Sequence, residues 1–137
     1  MATVVTRGTL VTASDTFRAD VRVEGGVISE IGRDLRRPGD EVVDAEGLLV
    51  MPGGVDVHTH LDLPSAGTRS SDDFETGTIA AAFGGTTSIV DFVTPAKGDS
   101  LTESLDTWRK KAGGRSVLDF GFHMSVTQLG PRTLDEM

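Results

Sequence analysis

The order of secondary-structure signals in the second half of this sequence constrains the fold more than any other feature. Strand-like runs over Val55–His58 and Thr86–Val90 alternate with helical patterns over Asp73–Phe83 and Leu101–Ala112, and a third strand pattern runs from Ser116 to Thr127. A β-α-β-α-β order predicts parallel strands joined by crossovers, as in a (β/α)₈ barrel or a doubly wound sheet.

Both helices carry start and stop signals. Ser71 or Asp72 is the predicted N-cap of the first helix, and Ser100 with Glu103 forms the pattern of a capping box for the second. A pair of glycines follows each helix and predicts its end.

Residues 1–52 have a different pattern, in which short β-rich runs are separated by turn signals. Gly25 and Gly26 are placed to form a tight hairpin turn. The predicted strands are Thr3–Val11, Ala19–Glu24, Val27–Ile31, Val42–Asp44 and Leu48–Met51. We interpret this region as a small all-β unit, part of a sandwich.

Composition excludes several classes of protein. The 13 Lys and Arg are scattered and the net charge is −8, which argues against nucleic-acid binding. The absence of cysteine excludes disulfides and thiolate metal sites. The sequence shows neither an apolar signal region nor a run of about 20 apolar residues, so we expect a soluble cytoplasmic protein without a membrane partner.

The final residues predict an interrupted element. Thr133–Glu136 has the form of a capping box, yet Met137 is the last residue. A complete (β/α)₈ barrel needs about 250 residues, whereas residues 53–137 have room for three strands and two helices. We therefore expect an N-terminal fragment in which the barrel is incomplete.

His58 and His60 are the strongest candidate ligands for a metal. Two residues apart on a strand, they share one face with Cα atoms roughly 6.6 Å apart, so both imidazoles could bind one divalent ion. Two polar residues where a strand reaches solvent would show the same spacing. Their position at the end of the first strand of a β/α series favours the metal site.

Other polar residues near these strands have competing explanations. Asp56 could orient an imidazole as an outer-shell partner, or it could be a buried aspartate that accepts backbone N–H groups. A structural role is favoured for Asp91. His123 could be a third ligand, but packing within the sheet is favoured, and Trp108 is interpreted as helix-to-sheet packing.

Four segments carry a family resemblance: Pro52–Asp62, Ser70–Thr78, Ala80–Thr87 and Ile89–Phe92. They closely resemble the dihydropyrimidinase and hydantoinase branch of the amidohydrolase superfamily. The resemblance implies an α/β protein, with a small β-sandwich subdomain over residues 1–52. Residues 53–137 would then be the first three strands and two helices of a metal-dependent (β/α)₈ TIM barrel.

The resemblance also implies a binuclear zinc site. By that analogy, His58 and His60 bind the more buried of two zinc ions. The bridging carboxylated lysine, two further histidines and the proton-shuttling aspartate would lie outside this sequence, so no catalytic residue is expected within it. The loop from Leu61 to Arg69 would form a substrate lid, with Leu63 contacting the ring substituent.

The implied activity is hydrolysis of the cyclic amide bond of dihydropyrimidines or hydantoins. Dihydroorotases usually carry an arginine after the second histidine, whereas Leu61 and Asp62 follow it here, which favours a neutral cyclic diamide. An allantoinase-type enzyme and a non-catalytic interaction protein remain alternatives. The resemblance also implies a homo-oligomer, a tetramer in the family, and we expect the 137 residues alone to be inactive.

Overall fold

A computed structural model describes residues 1–65 and 67–137, and the chain divides into two compact units. The first is Met1–Pro52 and the second Gly53–Met137. No helix in the described residues is long and apolar enough to cross a membrane.

The first unit consists of β-strands in two sheets. Its strands are β1 (Thr3–Thr6), β2 (Thr9–Val11), β3 (Thr16–Arg18), β4 (Asp20–Glu24), β5 (Val27–Gly32), β6 (Glu41–Asp44) and β7 (Leu49–Val50). One sheet has the order β5-β4-β1-β6 and the other the order β3-β2-β7. Gly25 and Gly26 have φ of 59° and 81°, which confirms the predicted hairpin turn between β4 and β5.

The predicted continuous strand Thr3–Val11 is wrong, because the chain leaves one sheet and enters the other within it. Arg7 has φ of 62°, and a Cβ added at Gly8 would lie 2.5 Å from a methyl carbon of Val50. This close approach separates β1 from β2. The strand β3 was not predicted, since its three residues are too few to show a period of two.

A buried ion pair accompanies the apolar core of the first unit. Arg22 donates a hydrogen bond to Asp40, and both side chains are almost fully buried. The Arg22 hydrogen bond holds the pKa of Asp40 below its ordinary value, against the opposing effect of burial. The charged pair therefore favours the folded state when Asp40 is ionised.

The second unit contains the predicted parallel sheet. Its elements are β8 (Gly54–Thr59), β9 (Pro64–Ser65), β10 (Thr68–Arg69), α1 (Phe74–Phe83), β11 (Thr86–Val93), α2 (Leu101–Ala112), β12 (Asp119–Met124) and α3 (Pro131–Glu136). The central sheet has the order β12-β11-β8, with both pairs parallel. The mixed α/β pattern is thus confirmed for the described part of the unit.

One face of this sheet carries the core. Along β11 the buried residues are Ile89, Asp91 and Val93, which alternate with partly buried ones. Ile89 and Val93 pack with Phe74 of α1 and Trp108 of α2. This confirms the interpretation of Trp108 as helix-to-sheet packing and places the histidine-bearing positions on the other face.

Several element boundaries differ from the sequence predictions. The N-cap of α1 is Asp73, whose carboxylate accepts the N–H groups of Glu75 and Thr76 at 2.9 Å, and not Ser71 or Asp72. The strand β12 is shorter than predicted. The last helix begins at Pro131, where a proline is tolerated because the first N–H groups of a helix have no intrahelical partner.

The described residues after β8 include a short pair of strands. Within the predicted lid, β9 and β10 pair antiparallel, and the Leu63 N–H donates to the Ser70 hydroxyl at 2.8 Å. Residue 66 of this predicted lid lies outside the described residues.

Candidate metal centre

The two candidate ligands lie together at the end of β8. His58 and His60 project from the same face of the sheet, and their ring centroids are 5.1 Å apart with the ring planes at 72°. Both are exposed on the face opposite the helices. The strand periodicity therefore brings both imidazoles to one point.

The ring of Phe92 packs against both imidazoles. Its centroid lies 4.6 Å from that of His58 and 5.4 Å from that of His60. The same ring lies 4.9 Å from His123, which is the register partner of Phe92 on β12. Three imidazoles thus surround one phenyl ring, an arrangement that was not predicted from the sequence.

The spacing of the two imidazoles fits a shared metal ion. With a Zn–N bond of about 2.1 Å and a tetrahedral angle, the ring centres of two histidine ligands lie about 5 Å apart. The observed 5.1 Å agrees with this value. Among the described residues no cluster of three or more His, Cys, Asp or Glu could hold an ion, so a catalytic site with three protein ligands would need donors besides these two.

Asp56 holds the backbone of the first histidine. Its Oδ1 accepts the His58 N–H at 3.0 Å, and the residue is exposed. Asp56 thus accepts a backbone N–H, as in the alternative of a buried structural aspartate, but it is exposed and not buried. Orientation of an imidazole by Asp56 stays a prediction.

Asp91 holds the backbone around the second histidine from the opposite face of the sheet. It is fully buried, and its Oδ2 accepts both the Thr59 hydroxyl and the Leu61 N–H at 2.8 Å. Its Oδ1 accepts the indole N–H of Trp108 at 3.0 Å. Burial raises the pKa of Asp91 above its ordinary value, while these three hydrogen bonds favour the charged form.

A lysine on α2 holds the start of the segment that follows His60. The Lys111 ammonium donates to the Asp62 carbonyl oxygen at 2.8 Å, and it lies 3.2 Å from the Asp62 carboxylate. It also lies 4.2 Å from the centre of the Trp108 ring. Asp62 itself has φ of 47°, a left-handed conformation that these contacts help to fix.

Leu63 faces the protein interior. Its partly buried side chain packs against the cluster of Phe74, Ile89, Val93, Trp108 and Ala112. Its role as a substrate contact stays a prediction, and this packing shows that the side chain already has apolar partners.

A family comparison agrees with this geometry. The model described as the amidohydrolase family matches residues 41–111, more than half of the chain. The chain belongs to the amidohydrolase family. The match spans β8, with His58 and His60, and β11, with Asp91 and Phe92.

Individual relatives of this amidohydrolase chain are similar over nearly its whole length. It is 49% identical to D-hydantoinase of Geobacillus stearothermophilus over 137 residues, which is 100% of the chain and 29% of that protein. It is 48% identical to dihydropyrimidinase of Rattus norvegicus over 87% of the chain and 24% of that protein. The resemblance to this branch of the superfamily is confirmed.

A solved structure gives the same result for the fold. The crystal structure of dihydropyrimidinase from Brevibacillus agri NCHU1002 matches with a TM-score of 0.94 and 51% identity, covering 99% of this amidohydrolase chain and 30% of that one. The chain therefore spans about a third or less of the length of these relatives.

Proposed function

We propose that these residues belong to a zinc-dependent hydrolase that opens the cyclic amide bond of dihydropyrimidines or hydantoins. The observation that carries the proposal is the pairing of His58 and His60 at 5.1 Å in a chain 49% identical to a D-hydantoinase. The neutral Leu61 after the second histidine supports a neutral diamide ring over a carboxylate-bearing one.

The proposal includes an architecture. Residues 1–52 form part of a small β-sandwich subdomain, and residues 53–137 form the opening strands and helices of a (β/α)₈ barrel. The parallel order β12-β11-β8 supports this, as does the position of His58 and His60 at the carboxyl end of β8, because barrel enzymes place their sites at the carboxyl ends of strands. A homo-oligomer and a cytoplasmic location belong to the same proposal.

The residues of this chain would bind and orient the metal, and they would not transfer protons. His58 and His60 would hold one ion of a binuclear pair, with Phe92 packed beside both rings. A divalent ion bound there would polarise an amide carbonyl and make a nearby water more acidic. The exposed histidine face leaves room for a ring substrate on the side away from the core.

The test is turnover of dihydrouracil and hydantoin by the intact protein, with and without a chelator, combined with metal analysis. We expect turnover that a chelator abolishes and zinc restores. His58→Ala and His60→Ala should each lose metal and activity, because each removes one of two adjacent donors. The matched control is His123→Ala, which removes the third imidazole of the same face and should retain metal.

The outcomes separate the alternatives. Chelator-resistant turnover, or no turnover of any cyclic amide, would contradict the proposal. Turnover of allantoin alone would favour an allantoinase-type enzyme. Intact protein without bound metal or turnover would favour a non-catalytic interaction protein.

A further inference from the structure

Asp91 is a buried carboxylate that the proposed reaction does not use. It lies on the helix-covered face of β11, whereas His58 and His60 lie on the open face. It therefore cannot contact a ligand on the histidine face directly. Its hydrogen bonds nevertheless converge on the main chain that carries one of those histidines.

The bonds lie on both sides of His60. The Thr59 hydroxyl and the Leu61 N–H, from the residues immediately before and after it, both donate to Oδ2 of Asp91 at 2.8 Å. The pairing of β8 with β11 ends at Thr59, opposite Asp91. His60 thus follows the last residue of the regular strand, where a chain without further contacts tends to fray.

The third bond fixes the carboxylate itself. Trp108 donates its indole N–H to Oδ1 at 3.0 Å, and its ring belongs to the core between helices and sheet. The carboxylate is 0% exposed, so solvent does not compete for its oxygens. The Asp91 carboxylate therefore connects the backbone on both sides of His60 to the buried core of the unit.

We propose that Asp91 is a positioning residue, which clamps the backbone on either side of His60 so that its imidazole stays beside that of His58. This inference rests on the proposed metal-binding function. The geometry also explains why the group is a carboxylate. Three donors converge on it and each needs an acceptor, whereas the amide of an asparagine would turn an NH₂ group toward at least one of them.

The experiment measures metal affinity in the intact protein. Zn²⁺ affinity is obtained by competition with a chromogenic chelator, and the absorption spectrum of the Co²⁺-loaded protein reports ligand geometry. We expect Asp91→Asn to weaken Zn²⁺ binding by about 10- to 100-fold, as is typical when a partner outside the ligand set is lost. The Co²⁺ spectrum should change, because His60 no longer has a single position.

A second substitution tests the reason for that loss. In Asp91→Asn the NH₂ group can avoid the Thr59 and Leu61 donors only by facing the Trp108 N–H. Trp108→Phe removes this conflict, so the double variant Asp91→Asn/Trp108→Phe should recover part of the affinity lost by Asp91→Asn. A residue that only stabilised the core would show the opposite, because the double variant loses more packing.

Two further variants distinguish a loss of metal affinity from a loss of stability. Thr59→Val is isosteric and removes one of the two clamping donors, so it should weaken Zn²⁺ binding by about three- to tenfold while the protein stays folded. Leu105→Ala trims a residue that packs against the same core cluster without bonding to Asp91, so it should lower the unfolding midpoint and leave affinity unchanged.

The results distinguish this inference from the proposed function. If the wild-type protein takes up no Zn²⁺ or Co²⁺, the proposed function fails and the inference fails with it. If the wild type binds metal, unchanged affinity and spectrum in Asp91→Asn or Thr59→Val overturns the positioning role alone. Affinity that falls in proportion to stability in all variants, including Leu105→Ala, also overturns it.

Discussion

Replacing Lys111 with methionine should release the segment that follows His60 from helix α2. The lysine is only 22% exposed, and its ammonium contacts both the carbonyl and the carboxylate of Asp62. Methionine keeps an unbranched apolar stem and a similar helix propensity. The substitution therefore removes the charge and its contacts with little other change.

The structure sets the size of the effect. A hydrogen bond to a charged group contributes about 1.5–3 kcal/mol, and a cation over an aromatic ring about 0.5–1 kcal/mol. Arg69 remains paired with the Asp62 carboxylate at 3.0 Å and offsets part of the loss. We expect Lys111→Met to lower the free energy of unfolding by about 2–3 kcal/mol.

The neighbouring residue supplies a matched control. Lys110→Met makes the same change of charge on the same helix, but Lys110 is exposed, so its effect should stay within about 0.5 kcal/mol. Urea unfolding followed by circular dichroism gives both values. Hydrogen exchange should rise between residues 61 and 65 in Lys111→Met and stay unchanged in Lys110→Met.

Equal stability of the two variants would refute the reasoning, because the contacts of Lys111 would then contribute nothing beyond the charge itself. A loss of stability without faster exchange in the segment would also refute it. The helix would then be weakened without any release of the chain after His60.

Three further predictions concern stability and are measured by urea unfolding. Thr78→Val should cost about 1–3 kcal/mol, because the buried Thr78 hydroxyl accepts the Val117 N–H at 3.1 Å, and Thr78→Ser should cost less if this bond is responsible. Because the pKa of Asp40 is lowered, its pair with Arg22 should stabilise the protein above about pH 4, and this contribution should be lost as pH falls through the lowered pKa. Asp40→Asn should flatten the dependence of the free energy of unfolding on pH in this acid range. An unchanged dependence in Asp40→Asn would contradict the prediction. Gly85→Ala should cost about 1–2 kcal/mol through its φ of 86° alone, with Gly85→Asn milder, since no atom lies near the added Cβ.

Local signals explain where the sequence predictions succeeded. The bounds of α2 agree with the prediction at both ends, because Ser100 accepts the Glu103 N–H at 3.2 Å and Gly113 follows the last helical residue. The N-cap of α1 was misassigned because the polar run before it offers adjacent candidates of similar propensity. Only the folded chain shows that Asp73 has the required geometry.

The candidate site was predictable where spacing alone decides it. A period of two predicts that His58 and His60 share one face as long as the backbone stays extended through His60. The contacts of Asp91 could not be read in this way, because its partners Thr59 and Trp108 lie 32 and 17 residues away in the sequence. Such partners depend on the register between strands and on the seating of a helix.

The contacts of Phe92 were also not predictable from the sequence. An apolar residue at the end of a predicted strand is ordinarily assigned to the core, yet its ring lies among three imidazoles on the open face. The alternation along β11 could have indicated the face, since Phe92 is one residue away from both Asp91 and Val93. Its neighbours on other strands required the fold.

The two faces of the β12-β11-β8 sheet have different functions, so substitutions on one face and on the other have different consequences. Substitutions at His58, His60 or Phe92 alter what the open surface can recognise, while the side chains that hold the strands against the helices are on the reverse side. Because side chains on a strand alternate between the two faces, residues on the open face can change during evolution while the core residues between them stay the same.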